Sequence, residues 1–159
     1  DLSEFEILEE FFDTAGGEAW NDNSGWKSKT VPFCNWFGIS CTKNVDGDDS
    51  VSEISLPSNN LINRVAPIVF HLPSLRVLDV SGNAVAMSFR DAHRAKNLEE
   101  LNISNTNIAS VKGVGGAKSL IQLSMSNNAL YGQEIPTEIY TLNRLTHLNL
   151  SRNGFVGSL

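Results

Sequence analysis

Two cysteines, three histidines and one acidic loop are the residues of this chain whose types could do chemistry. Cys34 and Cys41 are compatible with half of a metal site, a redox pair or a disulfide. Their spacing is wider than Cys-x-x-Cys, and no histidine stands near them to complete a zinc site. A local disulfide fits best and implies an oxidising compartment. Between Thr42 and Glu53, the residues Asn44, Asp46, Gly47, Ser50 and Glu53 fall at the ligand spacings of a calcium loop. Thr42 stands where that loop needs an Asp, and Asp49 where it needs an apolar residue. Val51 opens a strand where a helix should follow. Asp46-Gly47 reads as a turn, so no metal is assigned. His71, His93 and His147 are scattered, without a nucleophile motif, phosphate loop or metal-binding spacing around them. The paired acids Glu9-Glu10 and Glu99-Glu100 point to different faces of their elements and read as solvated surface. The expectation is a chain that is not an enzyme and has no cofactor.

A repeat must position whatever surface remains. The pattern L-x-x-L-x-L-x-x-N-x-L occurs five times, starting at Val51, Leu75, Leu98, Leu120 and Leu145, with starts 24, 23, 22 and 25 residues apart. Its alternating core predicts a short strand with one face in the core and one outside. Asn59, Asn83, Asn128 and Asn153 stand where the chain must turn off the strand, and their amides can bond backbone groups left unpaired there. Thr106 replaces the third Asn, and a locally weaker turn is expected. Stacked coils pair their strands into one parallel sheet.

The segment before Val51 must cover the first apolar layer. Ser3 and Glu6 have capping-box spacing, and Phe5, Leu8, Phe11 and Phe12 form a helical stripe that Gly16 and Gly17 end. Trp20, Trp26, Phe33, Trp36 and Phe37 then read as a small aromatic core, with a carbohydrate platform as the alternative.

The stretch Cys34-Asn35-Trp36-Phe37-Gly38-Ile39-Ser40-Cys41 resembles the C-x-W-x-G-[VI]-x-C signature of the plant-type leucine-rich-repeat cap, found in receptor-kinase ectodomains and polygalacturonase inhibitors. The stretch from Phe11 to Trp26 is more similar to the cap of algal, protist and bacterial relatives. The resemblance implies an α/β leucine-rich-repeat solenoid, with a curved parallel sheet on its concave face and a helical N-terminal cap. It also implies a Cys34–Cys41 disulfide. Residues 1–50 are expected to be the cap, and residues 51–159 five repeats, the last truncated. The family continues each repeat with x-G-x-I-P. Gly132, Ile135 and Pro136 match it with one extra residue, and Phe155, Gly157 and Leu159 begin it. Repeats two and three lack it, so a second sheet is expected to be doubtful or broken there.

The net charge is −6, and no Lys/Arg cluster answers to nucleic acid. No apolar run is long enough to span a bilayer. The outward strand positions are the expected ligand surface: Glu53, Asp79, Glu100, Asn102, Gln122, His147, Asn149 and Arg152, a small polar set with Arg152 as its one hot-spot residue type. Asn102-Ile103-Ser104 and Asn149-Leu150-Ser151 are glycosylation sequons on that surface. The expected partner is a protein or peptide, with a glycan as alternative, outside the cell. Self-association is expected where the last repeat lacks a cap and would leave Leu148, Leu150 and Phe155 facing water. The competing readings are an inhibitor of a cell-wall-degrading glycosidase and a structural matrix protein.

Overall fold

The computed structural model describes residues 1–158; Leu159, with which the expected repeat phrase ends, lies outside them. Helix α1 (Glu4–Thr14) starts as its sequence requires. Ser3 Oγ accepts from Glu6 N at 3.2 Å, and Glu6 Oε2 accepts from Ser3 N at 2.7 Å. Hydrogen bonding from the Ser3 backbone N–H first, and from the Ser3 hydroxyl second, holds the Glu6 carboxyl below its ordinary range. Ile7, Leu8, Phe11 and Phe12 are buried and Phe5 half-buried, so Ile7 widens the expected stripe. The helix ends at Ala15, and Gly16 follows with φ 67°. A Cβ there would also stand 2.3 Å from Ile62 Cγ1, so glycine serves both the turn and the close packing of the first coil.

Trp20, Trp26 and Trp36 are buried against Phe11, Phe12 and one another. Each indole N–H donates to a backbone carbonyl, those of Ala15, Phe37 and Val31 respectively, at 2.9 Å. These rings are core and offer no sugar platform; Phe37 alone of the stretch is exposed. Cys34 and Cys41 form the disulfide, with Cα atoms 5.6 Å apart. It ties a 3-10 turn (Phe33–Asn35) to strand β1 (Ile39–Lys43).

Strand β2 (Asp49–Ser55) pairs antiparallel with β1 and parallel with β4 (Val77–Asp79). β6 (Glu100–Asn102), β7 (Gln122–Ser124) and β8 (His147–Asn149) extend the sheet in parallel, in the order β1-β2-β4-β6-β7-β8. Ile54, Leu78, Leu101, Leu123 and Leu148 stand in one register row. The first four are buried in the core, while Leu148 on the last strand remains 42% exposed.

The Asn column joins each coil to the next. Asn83 Oδ1 accepts from Asn59 N and Leu61 N, both at 2.9 Å, and its Nδ2 donates to Leu56 O and Val80 O. Asn153 Oδ1 accepts from Asn128 N at 2.9 Å in the same way. Thr106 takes part from below only. Its N–H and hydroxyl meet Asn128 Oδ1, but it makes no bond to Asn83 N among the described residues. One rung is therefore missing between coils two and three, where the weaker turn is expected.

A second sheet also forms. β3 (Ile62–Val65) and β5 (Ala84–Met87) pair in parallel, and a lone bridge joins Glu134 to Val156. The expectation of a broken second sheet holds at coil three but needs correction at coil two, which lacks the Ile-Pro phrase and still supplies β5. Val85, Met87 and Phe89 are buried at a spacing of two, and that alternation suffices for a strand. Coil three buries Ile108 and Val111, three residues apart, which no strand can place on one face.

The concave sheet as candidate ligand surface

Five strands lie in strict register, so outward side chains form rows across the coils. The first row is Glu53, Val77, Glu100, Gln122 and His147, and the second is Ser55, Asp79, Asn102, Ser124 and Asn149. A groove of about 500 Å3 runs over β4 to β8 and is lined by Asp79, Glu100, Asn102, Gln122, His147 and Asn149 among others. Glu53 lies in the first row beyond that groove. Arg152 sits past β8 on a turn with φ 58°. It aligns with Ser58, Gly82, Asn105 and Asn127, all of which share the left-handed backbone.

The two rows differ in what they have left to offer. Asp79 Oδ1 accepts from Ser81 N at 2.9 Å and Ser81 Oγ at 2.6 Å. Asn149 Oδ1 accepts from Ser151 N at 3.0 Å and Ser151 Oγ at 2.7 Å, and Asn102 Oδ1 from Ser104 N at 3.2 Å. Each closes an Asx turn off its strand. Ser124 Oγ and Ser104 Oγ share a hydrogen bond of 2.6 Å. Three of the five second-row side chains therefore give an acceptor to the sheet's own turns. Among the described residues, the side chains of Glu53, Glu100 and Gln122 engage in no hydrogen bond or ion pair. His147 Nδ1 lies 2.8 Å from Thr146 Oγ1. That contact joins two exposed sequence neighbours, and no carboxylate orients the ring. Two carboxylates, an apolar floor at Val77, an amide and an imidazole remain for a ligand.

The acidic loop does not gather its oxygens. Asn44 Oδ1 accepts from Asp46 N and Asp48 N, both at 3.0 Å, and so closes the hairpin turn. Ser50 is buried and its hydroxyl hydrogen-bonds both Glu4 and Ser74, while Glu53 faces the concave side. Glu4 Oε1 also accepts from Val51 N at 2.8 Å, an anchor of α1 on the first repeat strand. On the convex side His71 has a partner in the next coil. Its Nε2 lies 2.9 Å from Asp91 Oδ2, linking coils one and two. That bond lowers the Asp91 carboxyl below its ordinary range against the opposing effect of desolvation.

A Leucine Rich repeat family model matches residues 71–86. The chain is 32% identical over 62 residues to a receptor protein kinase-like protein of Arabidopsis thaliana; the match takes in 36% of this chain and 8% of that protein. The Arabidopsis BIR2 ectodomain has the same fold at 22% identity, with TM-score 0.82 over 99% of this chain and 83% of that one. The Arabidopsis BIR3–SERK2 complex matches at 23% identity, with TM-score 0.73 over 96% and 81%. The chain is a leucine-rich-repeat solenoid.

Within the solenoid the cap is closed by the disulfide, and none of the described helices is long and apolar enough to cross a membrane. The sequons have unlike settings. Asn149 and Ser151 are exposed, whereas Asn102 is half-buried and its Ser104 is buried. The tie between each Asp or Asn and the Ser two residues on was readable from the Asx-turn phrases Asp79-Val80-Ser81 and Asn149-Leu150-Ser151. The reach of Glu4 to Val51 spans 47 positions and has no local signal.

Proposed function

We propose that this solenoid is an extracellular recognition module, part of a longer receptor ectodomain, that binds an extended protein or peptide ligand on its concave face and catalyses nothing. Residues 1–50 serve as its cap and 51–159 as its repeats. The carrying observation is the division of labour between rows: Asp79, Asn102 and Asn149 of the second row give an acceptor to the sheet's turns, while Glu53, Glu100 and Gln122, in one row with Val77, have no partner among the described residues. The BIR3–SERK2 structure, in which a protein of this fold is part of a complex, supports a protein partner over a glycan. The cap disulfide supports a secreted setting.

The test is capture on a biosensor from a set of secreted peptides and receptor ectodomains, followed by variants of each row. Glu100→Lys and Gln122→Ala are expected to weaken a captured ligand at least tenfold with the thermal midpoint unchanged. Capture that is indifferent to the first row would sink the assignment.

A further inference from the structure

We propose that the gap in the second sheet is a separate binding surface, fitted to an extended acidic peptide segment of a partner protein. Coil three makes one backbone bond to β5, Asn107 N to Val85 O at 3.0 Å. It then leans the other way. Gln133 Nε2 donates to Ala109 O at 2.8 Å, and Glu138 Oε1 accepts from Gly113 N and Gly115 N at 2.8 Å each, all from coil four. The outer edge of β5 is left without a strand beside it. A hollow of about 570 Å3 opens there, lined by Ser88, Arg90, Ser110, Lys112 and the buried Met87 and Phe89. It closes at Gly113, where a Cβ would stand 2.5 Å from Phe89 O. A smaller hollow of about 290 Å3 shares Met87, Ser88 and Arg90 with it and adds Arg64.

The charge of this gap is opposite to that of the chain. Arg64, Arg90 and Lys112 come from three successive coils, all exposed, and no carboxylate lines either hollow, although the chain carries a net −6. Their head groups enter no ion pair among the described residues. The acids on adjoining segments are occupied: Asp91 by His71, Glu138 by the two glycine amides. Ser88 Oγ and Ser110 Oγ accept from the N–H of Arg90 and Lys112, which leaves their hydroxyl protons to donate. An open strand edge supplies main-chain pairing, and the cations around it select acidic side chains on the paired segment. The edge favours a peptide over an acidic glycan, which could use the cations alone.

The probe is a fluorescein-labelled Glu-Val-Glu-Val-Glu-Val-Glu peptide, followed by anisotropy at 50 mM salt on the whole chain. Binding is expected to fall at least tenfold in Arg90→Glu and in Lys112→Glu, with the thermal midpoint unchanged. Amide shifts on titration are expected at Met87–Arg90 and Ser110–Gly113, and Glu100→Lys on the concave face should leave them intact. That last arm separates this site from the concave one. No binding, binding indifferent to either charge reversal, or shifts confined to β6 and β7 would overturn the proposal. So would equal binding by an oligogalacturonate, because it has no backbone amides to pair with a strand edge.

Discussion

The inner sheet runs unbroken through all five coils, while the second sheet, made by the same coils, stops at the third. The inner strands are held by a leucine row in the core and, at every turn but the Thr106 rung, by the Asn ladder as well. The second sheet has only its buried alternation. Where coil two places Val85, Met87 and Phe89 two apart, a strand forms; where coil three places Ile108 and Val111 three apart, none does. Redundant constraint gives continuity, and a single constraint leaves the chain free to open a hollow.

That contrast can be broken most directly in the core. Leu101→Ala is expected to cost about 3–4 kcal/mol by urea denaturation, because the side chain is buried between neighbouring coils that cannot collapse onto the void. Met87→Ala, on the wall of an open hollow that can relax, should cost about half of that. Equal losses would mean that the two sheets are equally constrained. Asn128→Ala comes next, at about 3 kcal/mol. It strips Thr106 N of its acceptor and the carbonyls of Ile103 and Met125 of a donor, all in buried surroundings. Thr106→Asn runs in the opposite direction. A restored amide could accept from Asn83 N as Asn83 accepts from Asn59 N, with an expected gain of about 1 kcal/mol. A loss there would show that the missing rung is not what weakens the ladder.

Most of the fold was legible in the sequence for the same reason that the inner sheet is continuous. A period-two pattern with leucine on one side fixes which face each residue takes, so both outward rows follow from the alternation of residues such as Leu78 and Leu101. The candidate surface was legible as positions but not as available groups. Asp79 and Asn149 appear in the sequence as contact residues, and in the structure their acceptors are already engaged by Ser81 and Ser151. Strand β5 has no Ile-Pro phrase to announce it, and the alternation of Val85 and Met87 is enough to form it. The pairing of Glu4 with Val51 and of His71 with Asp91 depends on how coils stack, which no local pattern encodes.

The smallest expected effect tests the convex side, where a titratable pair stitches coils one and two beside β3 and β5. Asp91 accepts from His71 Nε2 and has its carboxyl lowered below the ordinary value of about 3.9. A carboxyl with a depressed folded-state pKa binds protons more readily when unfolded. Its stabilisation is therefore complete above the unfolded value and is lost as pH falls through the lower folded value. Asp91→Asn should thus lie below the parent chain in stability near neutrality, by under about 1 kcal/mol for so open a pair. The two curves should converge in strong acid. The Asn ladder has no titrating member, so Thr106→Asn should instead shift stability by the same amount at every pH. A difference for Asp91→Asn that stayed constant into acid would show that packing at the coil junction, and not the charge on Asp91, joins those two coils.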